Sequence, residues 1–563
     1  MSDDRKRILI VGGVAGGASC AARARRLCER CEIVIFDRGP YVSFANCGLP
    51  YYVGDVIEEE EKLLLASPER FRDRFDIQVH TETEVLRIDR EAREIEVRDL
   101  RSGETRREPY DALVLSPGAE ALRPPLPGID LPGIFVLRTI PDSRRIREAV
   151  VDAARAVVVG GGFIGLEMVE NLVRRGLDLT VVELADQLMP PLDPEMASAV
   201  ATRLRDNGVA LRLEQSVEAF EERPEGGLLI RTSSGEAIEA DIAILGIGVR
   251  PLSGLAQQAG LDLGSRGGIR VDESMRTSDP NIWAVGDAVE VPDVVTGAVG
   301  PVPLAGPANR QGRIAAAALL GRGGESAPPS ERSVARFRGV QATSICGVFG
   351  LTVAITGASE KALQRAGIGH YAKIYLHPGN HVDYYPGAQP IHIKLLFSSE
   401  DGRILGAQAV GEEGVARRID VIAMALQMGG TVFDLEEAEL CYAPQFGAAK
   451  DPVNLAGMIA ANHLRGDLPL VDWSEFGKSD AEIVDVRSGD EFQEGHHPDA
   501  RNIPLEEMRG RLDDLPADRE IHLVCGVGQR AYYATRALLQ RGFDARNLSG
   551  GMKTYHAFKE AGS

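Results

Sequence analysis

The sequence predicts an α/β protein built from several domains, and three observations support this prediction. The chain has 563 residues, whereas a single domain usually holds roughly 100–200. The same order of apolar strand, glycine-rich turn, helix and strand occurs twice, at 7–36 and at 156–183. A further segment at 281–291, interpreted as strand, turn and helix, is suited to complete the first unit. The second unit would therefore be an insertion within the first domain.

The composition is that of an ordinary globular protein, with 44% hydrophobic and 26% charged residues. The formal net charge of −20 argues against a nucleic-acid partner, because no excess positive charge is available to neutralise phosphates. No apolar run is long enough to cross a bilayer, and the N-terminal segment lacks the apolar core of a signal peptide. We therefore expect a cytoplasmic protein without a membrane segment.

The seven cysteines are too few for a disulfide scaffold in a chain of this length. Cys28 and Cys31 have CxxC spacing where a helix is predicted to end and a strand to begin. No second CxxC pair and no Cys/His cluster accompanies them, so we interpret them as packing residues rather than as a metal or redox pair. We expect no metal site.

The first glycine-rich loop, from Val11 to Gly17, is predicted to bind a pyrophosphate group. The N–H groups and the dipole at the start of the following helix favour an anion there. Gly12 permits the tight turn, and Gly17 allows close packing of helix and strand. Asp37 ends the second strand, where a carboxylate can accept both ribose hydroxyls. Because Val14 replaces the middle glycine of the full pattern, a structural turn with a chance acid is the alternative.

The second glycine-rich loop carries the complete pattern, and Glu183 follows Gly160 by 23 residues at a strand end. An acid at this place accepts a ribose 2′-hydroxyl and repels a 2′-phosphate, so we predict NADH as the preferred donor, with NADPH possible. The residues of this predicted site are Gly160, Gly162, Phe163, Ile164, Gly165 and Glu183.

Cys47 lies in the segment SFANCGLPYY, which follows the Asp37 strand and is therefore predicted to lie beside the first nucleotide site. If a helix begins there, its N–H groups would lower the pKa of the thiol. No second cysteine lies within five residues, so this site would act through a single thiol. An inert buried cysteine is the alternative.

Cys525 follows a predicted strand and opens the sequence CGVGQR before a predicted helix. In such a loop the backbone N–H groups converge on the sulfur, and Arg530 adds a positive charge. We predict that the loop stabilises a thiolate or a persulfide. An inert cysteine is again the alternative.

Together these motifs resemble known families over nearly the whole chain. Residues 1–460 are similar to the single-cysteine branch of the pyridine nucleotide–disulfide oxidoreductases. This branch contains the coenzyme A disulfide reductases and the NADH-dependent persulfide reductases. The motifs that carry the similarity are SFANCGLPYYVGD, YYPGAQP and YAPQFGAAKDPVN. Residues 470–563 resemble a rhodanese domain through IVDVRSGDEFQEGHHPDARNIP and CGVGQR. The resemblance implies two nested Rossmann-like domains, an α+β dimerisation domain and a rhodanese-like α/β domain. The implied ranges are 1–120 with 250–325 for FAD, 121–249 for NAD(P)H, 333–463 for dimerisation and 470–563 for the rhodanese-like domain.

The resemblance also implies roles for individual residues. FAD contacts are expected from Gly12, Ala15, Gly16, Gly17, Asp37, Arg38, Gly286, Asp287, Ala305 and Lys450. Coenzyme A contacts are expected from Ser19, Arg23, Arg26, Ser43, Asn46, Asn309 and His381, together with Tyr385 and Tyr442. In the family these two tyrosines reach the active site of the partner subunit, so a homodimer is implied, although Tyr384 is an alternative to Tyr385. Arg23 and Arg26 share a helix face, and the alternative for them is a pair of solvated arginines.

The function that these residues favour is NADH-dependent reduction of small sulfur compounds by FAD and Cys47. The substrates would be persulfides, polysulfides or coenzyme A disulfides, and Cys525 would carry sulfane sulfur. The sequence leaves open whether coenzyme A is cofactor or substrate, and in which direction sulfur passes between Cys525 and Cys47. A first alternative is an NADH oxidase or peroxidase that uses a sulfenic acid at Cys47. A second is a redox-sensing protein, although two nucleotide sites exceed what a sensor needs.

Overall fold

The computed structural model describes residues 6–321 and 336–561. The chain forms two compact units, the first made of 1–184 with 212–342 and the second of 185–211 with 343–563. A linker rich in Gly, Pro and Ser is expected at 321–333, and apart from Gly321 it lies outside the described residues. Among the helices that the structure describes, none is both long and apolar enough to span a membrane.

The first unit contains a parallel sheet whose strands come from two distant parts of the sequence. The strand order is Ile282–Ala284, Ala112–Leu115, Arg7–Val11, Glu32–Phe36 and Gln78–His80. The segment at 281–291 therefore completes this sheet, as predicted. It does not continue as a helix, however, because the alternating Val289–Pro292 forms a strand after a 3-10 turn at Gly286–Ala288.

The second parallel sheet of the first unit belongs to the inserted segment. Its order runs Asp178–Val182, Arg155–Val159, Ile242–Leu245 and Ile134–Phe135. The smaller sheets of this unit are formed by Thr83–Asp89, Glu94–Asp99 and Thr105–Pro109; by Val217–Glu222, Leu228–Thr232 and Ala237–Ala240; by Ala119–Ala121 and Val249–Pro251; and by Ile269–Arg270, Val289–Pro292 and Val299–Pro301. The helices of the unit are Ala15–Leu27, Leu49–Val53, Pro68–Phe75, Ile140–Val150, Phe163–Arg174, Gly254–Gln258 and Ala305–Leu319.

Two of these helices, Ala15–Leu27 and Ala305–Leu319, approach each other more closely than side chains would allow. A Cβ atom added to Gly312 would lie 2.3 Å from the carbonyl oxygen of Gly16. Because both residues are glycines, the two backbones can meet directly. This contact brings together residues from the beginning and the end of the sequence of the first unit, beside the first glycine-rich loop.

The second unit contains an antiparallel sheet followed by a parallel one. The antiparallel order is Ser344–Val348, Leu351–Gly357, Ile404–Gly411, Ile391–Ser398 and Tyr371–Leu376. The accompanying helices are Pro194–Asp206, Glu360–Arg365, Val415–Gln427, Val432–Glu437 and Pro452–Leu464. The parallel order is Leu470–Val471, Ala545–Leu548, Ile521–Val524, Glu482–Asp485 and Ala500–Asn502, with helices Gly489–Glu494, Leu505–Met508, Gln529–Leu539 and Gly551–Ala561.

The segment at 464–478 joins the predicted dimerisation and rhodanese-like domains, and part of it is built into the C-terminal sheet. Leu470–Val471 adds a strand to the C-terminal parallel sheet, and Trp473 stacks on Phe558 with ring centroids 3.4 Å apart. The C-terminal sheet domain is also fastened to the antiparallel sheet. The N–H of Tyr375 donates to Ser549 Oγ at 3.1 Å, and His377 Nε2 lies 2.7 Å from Thr554 Oγ1. Within the second unit, the two sheets are therefore held together by packing and hydrogen bonds.

Cys28 and Cys31 depart from their predicted role as packing residues, because the structure joins them in a disulfide. The helix ends at Leu27 and the next strand begins at Glu32, which leaves the two Cα atoms only 5.6 Å apart. That spacing lies within the range that a disulfide requires.

Candidate functional site

The first glycine-rich loop has the geometry that a bound dinucleotide requires. Gly12 has a φ of +91°, and a Cβ atom there would lie 2.1 Å from the carbonyl oxygen of Ser116. Asp37 accepts hydrogen bonds from the N–H groups of Gly13 and Gly39, both at 2.8 Å. Burial raises the pKa of Asp37, and these backbone donors oppose that shift. The carboxylate is therefore held at the strand end, where it can accept ribose hydroxyls.

The second glycine-rich loop repeats this arrangement. Gly160 has a φ of +105°, and Glu183 Oε2 accepts a hydrogen bond from the N–H of Gly161 at 2.6 Å. A Cβ atom on Gly162 would meet nothing within 4 Å, so the space in front of the helix Phe163–Arg174 is open to a phosphate group. The residues present thus fit one dinucleotide at each loop.

Cys47 lies in a 3-10 turn, Asn46–Gly48, and is exposed. The sequence predicts a lowered pKa only if a helix begins at the cysteine, and this condition is not met. The short helix begins at Leu49, two residues after the cysteine. Partial burial raises the pKa of the thiol, and the negative charges of Glu167 and Asp287 raise it further. Arg138 and a backbone hydrogen bond oppose this shift without reversing it.

Two charged residues beside Cys47 are absent from the sequence prediction. Glu167 lies on the helix of the second glycine-rich loop, accepts a 3.4 Å hydrogen bond from Tyr51 and has a pKa raised by burial. Arg138 lies 3.5 Å from Asp287 Oδ2 and opposes the raised pKa of Cys47. A signal for Glu167 was its position two residues after Gly165, whereas Arg138 lies in no motif.

The other residues predicted around Cys47 lie in the first unit. With the oxygen and nitrogen of its side-chain amide exchanged, Asn46 donates to the Phe44 carbonyl at 3.3 Å and accepts from Arg138 at 3.0 Å. Ser43 has a φ of +49° and donates its N–H to the carbonyl of Gly13, which ties the cysteine segment to the first loop. Burial raises the pKa of Asp287, and Gly286 donates its N–H to Gln311 at 2.7 Å.

The predicted flavin and coenzyme A residues on the first and last helices of the unit lie near one another. Ser19 and Asn309 share a short hydrogen bond, and Asn309 also donates to the carbonyl of Ala305, the first residue of its helix. Arg26 and Arg38 are exposed, and Arg23 is half-buried. None of these contacts tests coenzyme A binding, which stays a prediction.

Arg25 on the same helix is buried, and the sequence prediction omits it. Its guanidinium donates to backbone carbonyls of Cys31, Phe75 and Asp76 among others, at 2.6–2.8 Å. It therefore fixes the end of the helix that carries the predicted coenzyme A arginines.

His381, Tyr385, Tyr442 and Lys450 lie in the second unit, in segments held together by Arg418. The buried guanidinium of Arg418 donates to the carbonyl of Asn380 at 2.7 Å and to Asp451 at 2.9 Å. Tyr385 packs edge-on against His381. Tyr384, rather than Tyr385, makes a 2.9 Å hydrogen bond to the hydroxyl of Tyr442, so the choice between these tyrosines stays a prediction.

The Cys525 loop has the predicted form. The N–H groups of Gly528 and Ala531 donate to Cys525 Sγ at 3.2 and 3.4 Å, and the helix Gln529–Leu539 starts directly after the loop. Cys525 is buried at the end of the strand Ile521–Val524. Arg530 is also within hydrogen-bonding reach of this sulfur. The loop can thus hold an anionic sulfur.

A partner of Arg530 is missing from the sequence prediction. Glu491 binds it through two parallel hydrogen bonds, with Nη1 to Oε2 at 2.7 Å and Nη2 to Oε1 at 2.6 Å. Arg530 lowers the pKa of Glu491 to about 2. Glu491 is distant from Cys525 in the sequence, so no local pattern around the cysteine reveals it.

Family comparisons agree with this geometry. Residues 6–301 match the model described as pyridine nucleotide-disulphide oxidoreductase, residues 343–451 match the dimerisation domain of the same family, and residues 471–558 match the rhodanese-like domain. A coenzyme A disulfide reductase from Staphylococcus epidermidis is 34% identical over 453 residues, which is 80% of this chain and 99% of that protein.

Two similar solved structures extend over nearly the full length. The structure of reduced CoADR-RHD from Bacillus anthracis is 44% identical, with a TM-score of 0.94 and coverage of 98% of both chains. The NAD-dependent persulfide reductase from A. fulgidus is 35% identical, with a TM-score of 0.88, covering 98% of this chain and all of that one. The predicted α/β fold class, with a dimerisation domain and a C-terminal rhodanese-like domain, is thus confirmed.

Proposed function

The chain belongs to the pyridine nucleotide-disulphide oxidoreductase family, and on that premise we propose that it reduces persulfides, polysulfides or coenzyme A disulfides at Cys47 with electrons from a nicotinamide dinucleotide. Sulfane sulfur is carried on Cys525 of the rhodanese-like domain. The observation that carries the proposal is the combination of an exposed single cysteine beside the first glycine-rich loop with a Cys525 loop whose backbone N–H groups donate to the sulfur.

FAD, when bound, supplies two-electron transfer between the nicotinamide and sulfur. The Cys47 thiolate attacks a coenzyme A disulfide, forms a mixed disulfide and releases one thiolate. With a persulfide RSSH, the same attack forms a Cys47 persulfide and releases RS⁻. Two electrons then cleave the new S–S bond and return Cys47 as thiolate, with release of the second thiolate or of HS⁻. Arg138, which opposes the raised thiol pKa, favours the anion that this cycle needs.

The proposed donor is NADH, since Glu183 already bonds the loop N–H of Gly161 and places its negative charge at the ribose position. We also propose a homodimer formed through the dimerisation domain, with Tyr385 and Tyr442 directed at the partner's coenzyme A site. Cytoplasmic location stays a prediction from the sequence.

The experiment that tests the function is steady-state oxidation of NADH with polysulfide, coenzyme A disulfide and hydrogen peroxide in parallel. Turnover with sulfur substrates well above that with peroxide supports the proposal. Faster turnover with peroxide would favour the oxidase or peroxidase alternative, for which a sulfane carrier has no use. Negligible turnover with all three would favour the redox-sensing alternative.

The donor preference gives a separate prediction. Wild-type enzyme should use NADH better than NADPH by about tenfold or more in kcat/KM, since a hydrogen-bonded acid at the ribose is worth about 1–3 kcal/mol. Glu183→Gln should narrow this ratio. Asp178→Asn, at the other end of the same strand, is the control and should leave it unchanged. A wild-type preference for NADPH would refute the role of Glu183.

Cys525→Ser should slow the turnover of some sulfur substrates and leave that of others nearly unchanged. Coenzyme A disulfide is small and reaches Cys47 directly, so its reduction should stay within about twofold of wild type. Donors whose sulfane sulfur must first be transferred to Cys525 should be turned over at least about tenfold more slowly than by the wild type. Equal losses on both would mean that Cys525 resolves a Cys47 mixed disulfide, and no loss on either would make the domain a passenger or docking module.

A further inference from the structure

The charge around Cys525 is not what the loop sequence alone suggests. Arg530 is the cation of the CGVGQR segment, and its two terminal nitrogens are both directed at Glu491. This is a bidentate pair, which is among the stronger and more directional ion pairs in proteins. Glu491 therefore offsets the positive charge of Arg530 beside Cys525, and the backbone N–H groups of Gly528 and Ala531 donate directly to the sulfur.

The next basic residue in this part of the domain has its charge directed elsewhere. The backbone N–H of Lys553 donates to the carbonyl of Gly526, behind the loop. Burial lowers the pKa of His377 and His392, and the ammonium group of Lys553 lowers both further. Lys553 thus contributes to the contact with the antiparallel sheet and does not replace the charge of Arg530.

Glu491 also has a local role that a conservative change would preserve. It is the third residue of the helix Gly489–Glu494 and completes a capping box, in which Ser488 N donates to Glu491 Oε2 at 3.1 Å. Glutamine serves this position equally well. The negative charge can therefore be removed without removing the cap.

We propose that Glu491 determines the sulfur donor of Cys525: by neutralising Arg530, it makes the loop select a donor of low charge, an organic persulfide, and disfavour the thiosulfate dianion. This inference rests on the proposed sulfur-carrying role of Cys525. A dianion needs excess positive charge to offset its desolvation in the loop, and the Glu491–Arg530 pair supplies none.

Both donors would react by the same displacement. The Cys525 thiolate attacks the outer sulfur, and the S–S bond of the donor breaks. From RSSH the products are a Cys525 persulfide and RS⁻, whereas from thiosulfate they are the deprotonated Cys525 persulfide and sulfite, SO₃²⁻. The leaving groups differ by one negative charge, so the local charge acts differently on the two reactions.

The test uses the intact FAD-loaded protein with cyanide as sulfur acceptor, which requires neither NADH nor Cys47. Thiocyanate formation is measured from thiosulfate and from 2-hydroxyethyl persulfide, and the rate of Cys525→Ser is subtracted from each. Glu491→Gln should raise kcat/KM for thiosulfate relative to the persulfide by about tenfold, and this gain should shrink at high salt. Adding Arg530→Gln to Glu491→Gln should remove the gain.

The matched control is Glu482→Gln, which breaks an ion pair with Arg519 at the opposite, amino-terminal end of the same parallel strands and should leave the ratio unchanged. A ratio within twofold of wild type in Glu491→Gln, with thermal stability retained, would overturn the proposal. If wild-type and Cys525→Ser rates are equal for both donors, the sulfur-carrying function itself fails, which is a different result from an unchanged ratio.

Discussion

Replacing Cys47 with serine is expected to abolish NADH-dependent reduction of both polysulfide and coenzyme A disulfide, with a loss on the order of a thousandfold or more. Serine keeps the shape of the side chain but cannot form the S–S bond on which both reactions depend. The FAD contacts predicted at the first glycine-rich loop do not involve the sulfur, so the purified variant should retain the flavin absorbance of the wild type.

Cys441→Ser is the control for this prediction. Cys441 and Cys47 are the two exposed free cysteines among the residues that the structure describes. Loss of Cys441 should leave sulfur reduction within about twofold of wild type, since no nucleotide loop accompanies it in its unit. Full turnover of polysulfide by Cys47→Ser would contradict the proposed mechanism, whatever the activity of Cys441→Ser.

The elements that the sequence predicts correctly are those set by local patterns. The strands Arg7–Val11 and Glu32–Phe36 follow from apolar, β-branched runs, and the glycine-rich loop between the first strand and its helix follows from a backbone that must turn with positive φ. The Cys525 loop is likewise specified by contiguous residues. Such features need no knowledge of distant partners.

The features missed by the sequence prediction depend on residues that are far apart in the chain. Burial raises the pKa of Cys47, and the charges of Glu167 and Asp287, which come from separate elements, raise it further. Glu491 meets Arg530 across 39 residues and cancels its charge. Electrostatic effects of this kind depend on three-dimensional separation and burial, which periodicity and motif spacing do not contain.

Replacing Lys394 is expected to have a large effect on the stability of the second unit. Its ammonium group is fully buried in the second unit and lies 2.7 Å from Asp193, 2.5 Å from Glu195 and 2.6 Å from Glu360. Burial disfavours its charge, but the three carboxylates outweigh that penalty and raise its pKa. These acids are grouped closely enough to hold a metal ion, and the lysine occupies that position.

Lys394→Met should lower the free energy of unfolding of this unit by about 3–5 kcal/mol, because it leaves buried carboxylates without their counter-charge while keeping most of the packing volume. The measurement is urea denaturation followed by the fluorescence of Trp473, in a Trp283→Phe background that removes the other tryptophan. Lys478→Met, at an exposed lysine of the same unit, should change the free energy by less than about 0.5 kcal/mol.

The same cluster predicts how acid should act on the variant. In the wild type, burial raises the pKa of Asp193, but its bonds to Lys394 outweigh this and the net pKa is lowered. The carboxylate therefore contributes stability above its unfolded pKa, and this contribution is lost as the pH falls through the lower folded value. Without the lysine, the buried carboxylates should take up protons more readily, so the deficit of Lys394→Met should shrink between neutral pH and pH 5. A deficit that is independent of pH would show that Lys394 stabilises the unit through packing instead of charge.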